Sequence, residues 1–86
     1  MREQDLENEI KTMIAQIIEK DPREITPEAK FFEELGVDSM MALEIMAAME
    51  KRYKIAIPEE KLAQLTTLRE TVKVAKEFLE KRGPDA

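Results

Sequence analysis

Apolar residues recur with the period of an α-helix in three segments of the chain. In residues 3–19 they occupy positions i, i+4, i+7, i+8, i+11 and i+12, which lie on one face of a helix. This first stripe is made of Leu6, Ile10, Met13, Ile14, Ile17 and Ile18. The second, in residues 38–53, is made of Ala42, Ile45, Met46, Met49 and Tyr53. The third is made of Leu68, Val72, Ala75, Phe78 and Leu79. The pattern therefore predicts three amphipathic helices.

Capping residues mark the ends of two of these helices. Asp38 is the expected N-cap of the second helix, because its carboxylate can accept a hydrogen bond from a free N–H of the first turn. Thr67 with Glu70 has the spacing of a capping box at the start of the third helix. Gly83 and Pro84 are expected to end that helix.

The first two helices are separated by a long connection, residues 21–37. A loop of this length in a small domain is usually functional or held against the core. Phe31, Phe32 and Leu35 are the expected core contacts of this loop. Gly36 is expected to supply a positive φ just before the second helix.

The predicted fold is all-α. A short helix over residues 58–64, opened by Pro58, joins the three main helices. The expected architecture is a small four-helix bundle with a long loop between helices 1 and 2. We predict a single domain over residues 1–86, folded over about 3–82, with a tail at 83–86.

The second helix is apolar on more than its core-facing side. From residue 39 to residue 49 its only charged residue is Glu44. A helix that is apolar most of the way round is either fully buried or keeps an exposed face for a partner. Since a small domain has little interior, the sequence favours a face for a partner.

Composition excludes several kinds of chemistry. The 86 residues include no Cys and no His, which excludes a thiolate nucleophile, a zinc finger, a Ser-His-Asp triad and an imidazole base. The net charge of −5 argues against nucleic acid as the main partner. No segment has the length and apolarity of a membrane span, and the polar N-terminus is unlike a signal peptide. We therefore expect a cytoplasmic monomer without a metal site.

Ser39 is the candidate for chemistry, since it is placed at the start of a helix directly after a glycine turn. A phosphate attached there would lie at the positive end of the helix dipole, near free backbone N–H groups. Ser39 has no His to take its proton, and the nearest lysines in sequence are Lys30 and Lys51. Its hydroxyl would therefore have to be activated by another enzyme.

The series Leu35-Gly36-Val37-Asp38-Ser39-Met40 resembles the attachment motif of the acyl carrier protein family, which reads Asp-Ser-Leu after Leu-Gly-x. The likeness continues through Ala42-Leu43-Glu44-Ile45, Ala48-Met49-Glu50, Tyr53, Ile57-Pro58 and Thr66-Thr67-Leu68, and it covers about residues 6–80. The resemblance implies that a Mg²⁺-dependent phosphopantetheinyl synthase transfers 4′-phosphopantetheine from coenzyme A to Ser39. It also implies a carrier rather than an enzyme, bearing acyl groups as thioesters on that arm.

The resemblance assigns further residues by position. Asp38 belongs to the attachment motif. The partner-binding positions are Met40, Met41, Leu43, Glu44 and Ala47. The pocket that shelters the acyl chain would be lined by Ile45, Met46, Met49, Ile57, Leu62 and Leu65. The implied partners are the synthase and acyltransferases, ketosynthases or related acyl-chain enzymes.

Several positions depart from the family pattern. Met40 replaces the usual Leu, and Met41 stands where many bacterial members have an acid. Lys51, Arg52 and Lys54 replace acids that are common at the end of this helix. The whole acidic excess lies before residue 37, so partners should rely less on charge steering by this helix. These departures predict a carrier for polyketide-like or other specialised lipid synthesis rather than for housekeeping fatty-acid synthesis.

Three other interpretations remain open at this point. Ser39 is also what an ordinary helix start would contain, since Ser is enriched there for hydrogen-bonding reasons. An aminoacyl or D-alanyl carrier would share the fold and the arm. A cofactor-free helical adaptor, of a different class, would dock its partners through the second helix.

Overall fold

The computed structural model describes residues 2–82, and these residues form an all-α fold. Its α-helices are α1 (Glu3–Ile18), α2 (Phe31–Glu34), α3 (Ser39–Tyr53) and α4 (Leu68–Arg82). A 3₁₀ turn (Pro22–Glu24) and a 3₁₀ helix (Glu59–Gln64) complete the described elements, which include no strand. The predicted arrangement of three main helices and one short helix is confirmed, with the short helix in 3₁₀ form.

The start of α4 uses half of the predicted capping box. The Glu70 N–H donates to Thr67 Oγ1 at 3.1 Å, as expected. The Glu70 carboxylate instead accepts from Lys73 Nζ at 3.3 Å, so the reciprocal bond is replaced by an ion pair along the helix. The predicted helix stop and tail at 83–86 lie outside the described residues.

The core lies where α1, α3 and α4 pack together. All five residues of the predicted α3 stripe are buried. In α1 the buried face differs from the predicted stripe, because Met13 and Ile17 are only partly buried and Ala15 is buried as well. The buried α1 residues are Leu6, Ile10, Ile14, Ala15 and Ile18.

Helix α4 is enclosed over more of its circumference than its sequence predicts. Leu68, Val72, Ala75 and Phe78 are buried as expected, whereas Leu79 is only partly buried. Two further residues, Thr71 and Val74, are also buried. The Thr71 hydroxyl donates to the Thr67 carbonyl at 2.7 Å, which allows a polar side chain to be buried without an unpaired group.

The long connection is held against the core, but not by all the residues expected. Phe31 is fully buried and Leu35 is buried, as predicted, while Phe32 is 44% exposed and that prediction was wrong. The reason is that this segment forms the unpredicted helix α2, in which successive side chains point about 100° apart. The Phe31 N–H donates to the Thr66 carbonyl at 2.8 Å, and the Val37 N–H donates to the Phe31 carbonyl at 2.9 Å. Phe31 thus joins α2 to the residues that precede α4.

Within residues 2–82 there is no helix with both the length and the apolarity needed to cross a membrane.

The adjacent phenylalanines of α2 provide a matched pair of variants. Phe31→Ala should destabilise the fold by about 3–5 kcal/mol, because it empties a fully buried site. Phe32→Ala should cost less than about 1 kcal/mol, since this ring is half-exposed. The free energies of unfolding in urea measure the difference, and Phe31→Leu serves if Phe31→Ala does not fold. Equal effects of the two alanine variants would contradict this description of the loop.

Candidate functional site

Ser39 is the first residue of α3 and its side chain is exposed. Its neighbour Asp38 is the N-cap that the sequence predicts, with the Met41 N–H donating to Asp38 Oδ1 at 2.9 Å. The Asp38 carbonyl accepts the Ala42 N–H at 2.9 Å, which is the first backbone bond of the helix. The N-cap therefore fixes the backbone on both sides of Ser39.

Two N–H groups of the first turn remain available to a ligand. Within the described part of the chain, no acceptor bonds the N–H of Ser39 or of Met40. Free N–H groups at the start of a 15-residue helix attract anions, because the helix dipole adds to their partial positive charge. A phosphate attached to Ser39 would find both groups within its own turn of helix.

The glycine turn before the site has the conformation expected from the sequence. Gly36 has φ 69°, the left-handed region that glycine enters without strain. A Cβ at this position would meet nothing within 4 Å, so the backbone angle and not the space requires glycine. Leu35 and Val37 on either side are buried, so the turn is held at both ends and brings Ser39 to the surface.

The arrangement does not equip Ser39 to act as a nucleophile by itself. Its hydroxyl forms no hydrogen bond to any residue between 2 and 82, and the sequence contains no His. A serine hydroxyl needs an adjacent base to be activated for attack. The site can receive a group from another enzyme and hold it at an exposed position.

The predicted partner-binding residues lie on the outer side of α3, with one exception. Met40 is 73% exposed and Leu43 is 41% exposed, and Glu44 and Ala47 are exposed too. Met41 is half-buried and packs against the core, so it offers a partner less surface than the sequence suggests. Most of this set therefore forms one accessible surface beside Ser39.

The residues predicted to shelter cargo lie in the core. Ile45, Met49 and Leu65 are fully buried, Met46 and Ile57 are nearly so, and Leu62 is partly buried. The structure thus brings the predicted set into one apolar cluster of the core.

A groove of about 440 Å³ lies elsewhere, between α1, the end of α3 and α4, and none of the predicted cargo residues lines it.

Glu50 controls the turn that connects α3 to the 3₁₀ helix. Its carboxylate Oε2 accepts the Ile57 N–H at 2.9 Å, and its carbonyl accepts the N–H groups of Lys54 and Ile55. Sequence reasoning matched Glu50 to the family pattern without assigning this role. A Glu seven residues before an Ile is not a known sequence motif, so the bond from Ile57 to Glu50 could not be predicted.

The far end of α3 carries a second cluster that the sequence did not reveal. Tyr53 Oη donates to Glu9 Oε1 at 2.9 Å, and Arg52 Nε donates to the same oxygen at 3.2 Å. Burial and the Glu9 carboxylate raise the pKa of Tyr53 to about 12, while the hydrogen bonds from Tyr53 and Arg52 lower the pKa of Glu9. These contacts fasten α1 to the end of α3 and engage Arg52. Lys51 and Lys54 form no salt bridge with a described residue.

Comparison with known proteins adds to this geometry. Residues 8–75 match the family model described as the phosphopantetheine attachment site. The chain is 39% identical over 84 residues to the meromycolate extension acyl carrier protein of Mycobacterium tuberculosis, covering 93% of this chain and 72% of that protein. It is 38% identical over 63 residues to polyketide-8 synthase acyl carrier protein 2 of Streptomyces avermitilis, covering 73% and 72%. It is 34% identical over 65 residues to the acyl carrier protein of Helicobacter pylori, covering 76% and 83%.

The cap at Asp38 can be separated from its charge by two variants. Asp38→Ala should destabilise the fold by about 1 kcal/mol, because the Met41 N–H loses its acceptor. Asp38→Asn keeps an oxygen acceptor and should retain most of the stability. Urea unfolding of the three proteins tests this, and a loss as large for Asn as for Ala would contradict the capping role.

Proposed function

Because this chain belongs to the acyl carrier protein family, we propose that Ser39 is the residue to which its 4′-phosphopantetheine is attached. The protein is a phosphopantetheine-bearing acyl carrier, and the arm supplies the thiol that the sequence itself lacks. The family model matches residues 8–75 as a whole, and our proposal is that Ser39 is the attachment residue within them.

The observation that carries this assignment is that Ser39 is the sole serine of the sequence. It is exposed at the start of α3, where an activating enzyme can reach its hydroxyl. The free N–H groups of Ser39 and Met40 fit the phosphate of a phosphodiester. Asp38 holds this turn of the helix in place through its bond to Met41.

In this proposal the chain presents its cargo and catalyses nothing. Acyl carrier proteins act with biosynthetic enzymes, and the specific partners proposed here are the synthase that loads Ser39 and acyltransferases or ketosynthases that use the arm. These enzymes would contact the outer surface of α3 formed by Met40, Leu43, Glu44 and Ala47, with a minor contribution from Met41. The cytoplasmic location stays a prediction.

We further propose a specialised acyl cargo. Relatives of 38–39% identity are named for polyketide and meromycolate synthesis, and these names concern acyl groups rather than aminoacyl groups. The basic residues Lys51, Arg52 and Lys54 at the end of α3 agree with a specialised rather than a housekeeping carrier. The cofactor-free adaptor has no support, since the family that matches is one of phosphopantetheine carriers.

Loading of the arm is tested directly by mass spectrometry. Wild-type protein incubated with coenzyme A, Mg²⁺ and a broad-specificity phosphopantetheinyl synthase should gain the mass of one phosphopantetheine. Ser39→Ala should gain none, and Thr66→Ala, which removes another exposed hydroxyl, should load normally. Because the Ser39 side chain is exposed and its hydroxyl forms no hydrogen bond with a described residue, Ser39→Ala should also unfold at the wild-type urea concentration. A loaded Ser39→Ala protein would exclude Ser39 as the attachment site.

Sheltering of the cargo predicts that longer chains stabilise the protein. Octanoyl carrier should be more stable than acetyl carrier by about 0.8 kcal/mol for each methylene that becomes buried, less the cost of opening the core. Leu62→Ala, in the predicted pocket, should reduce this difference. Leu79→Ala, a partly buried leucine on α4, should not. Equal unfolding free energies for the octanoyl and acetyl forms would show that the chain stays outside.

A further inference from the structure

The outer side of α3 carries an exposed stripe that runs from Ser39 to the far end of the helix. We define the outer stripe as Met40, Leu43, Glu44, Ala47 and Lys51, all of which are exposed. At 100° per residue, the positions 40, 44, 47 and 51 lie within a sector of about 60°, and position 43 lies about 40° outside it. With a rise of 1.5 Å per residue, Lys51 lies about 16 Å along the helix from Met40.

The two ends of the outer stripe differ in chemistry. The end next to Ser39 is apolar, and Met40 and Leu43 are two of the three exposed large hydrophobic residues of the described part. The other end is basic, with Lys51 followed by the exposed C-cap residue Lys54. Glu44, between the two ends, is the one acid of the stripe.

The basic end is not accounted for by contacts within the fold. Arg52 is turned towards α1, where it pairs with Glu9 at 3.2 Å. Lys51 and Lys54 have no carboxylate partner between residues 2 and 82. Cations in the last turn favour the helix dipole, and Lys51 and Arg52 both lie there, while Lys54 follows as the C-cap. Two cations thus remain exposed at the end of the stripe in a protein whose net charge is −5.

We infer that the enzymes that use this carrier bear an acidic patch about 16 Å from an apolar depression at their active-site opening. Met40 and Leu43 fill the depression when the arm enters, and Lys51 and Lys54 meet the acidic patch. This inference rests on the proposed attachment to Ser39, which defines the end of the stripe that faces the opening. Beyond the proposed function, the inference states that the charge that selects the partner is positive and that it lies at the far end of the outer stripe.

Charge complementarity favours an enzyme surface over other occupants. A nucleic acid would be repelled by the acidic remainder of the protein. Opposite charges at the rim of an interface mainly accelerate encounter and reject wrong partners. At physiological salt such charges are screened beyond about 8 Å, so Lys51 acts on what touches it and not on the chemistry at Ser39.

The test compares Lys51→Glu/Lys54→Glu with wild type, both loaded with the arm and the same acyl group. Each is assayed with ketosynthases of known structure, one group with acidic rims and one with basic rims. The variant-to-wild-type ratio of kcat/KM should fall about fivefold to tenfold with acidic rims, and should not fall with basic rims. The difference between the ratios for the two groups of enzymes should become smaller in 0.5 M salt, because salt screens these charges. For Lys51→Gln/Lys54→Gln, the difference between these ratios should lie between those of wild type and of Lys51→Glu/Lys54→Glu.

Lys11→Glu/Lys20→Glu is the matched control, since it makes the same change of charge on and just after α1. Each Lys→Glu change lowers the net charge by two, so both double variants move the net charge from −5 to −9. Lys11 and Lys20 form no salt bridge with a described residue, so no ion pair is lost. For the control, the variant-to-wild-type ratio of kcat/KM should be the same with acidic-rimmed and with basic-rimmed enzymes. The reaction of the arm's thiol with a small neutral alkylating agent should be the same for all the proteins.

Other outcomes would overturn the inference. The role of Lys51 and Lys54 in selecting partners would be excluded if the kcat/KM ratio of their variant were equal for the two groups of enzymes. It would also be excluded if Lys11→Glu/Lys20→Glu changed the two ratios in the same way. A wild-type dimer that Lys51→Glu/Lys54→Glu converts to monomer in sedimentation would assign the basic end to a second copy of this chain. Failure of wild type to load would overturn the attachment to Ser39 and this inference together. Normal loading without the contrast would overturn this inference alone.

Discussion

Burial of Phe31 is the constraint on which the position of Ser39 depends. The connection between α1 and α3 has no helix longer than the four residues of α2, so its path depends on side chains buried in the core. Ile25 and Phe31 are fully buried, and Leu35 and Val37 are buried too. Phe31 is the one of these that also links two segments through its backbone, because its N–H donates to the Thr66 carbonyl and its carbonyl accepts the Val37 N–H. Val37 is itself buried one residue before the N-cap. The site is therefore exposed but is held by side chains in the core.

Helix α3 has to serve both the core and the surface of a small protein. Its inner side supplies five buried residues, and its outer side keeps Met40 and Leu43 in solvent. Exposing such residues costs free energy that their burial would recover, so a partner surface is the simplest physical reason for their place. The same helix thus links packing to recognition, since any shift of the inner side also moves the outer stripe.

The sequence predicted the long helices well because their stripes repeat over several turns. It failed where a decision depended on one residue or on a distant partner. Phe31 and Phe32 are adjacent and equally apolar, and only the four-residue helix α2 decides which one is buried. Glu9 is one of ten acids before residue 37, and nothing in the sequence indicates that Tyr53 and Arg52 contact it. Ser39 could be singled out because its signal is local: a glycine turn, an N-cap and an exposed first turn.

The location of charge gains a physical explanation from the fold. The acidic excess lies before residue 37, and three of these acids form ion pairs with cations of the second half of the chain. These pairs are Glu3 with Lys76, Glu9 with Arg52 and Glu28 with Arg69. Exposed pairs of this kind add little stability each, but they pair one cation of α3 and two of α4 with acids of the first half. What remains on the outer side of α3 is a surface whose basic end belongs to Lys51 and Lys54. The net charge of −5 is therefore a poor guide to the charge of the outer stripe, because Lys51 and Lys54 have no carboxylate partner among the described residues.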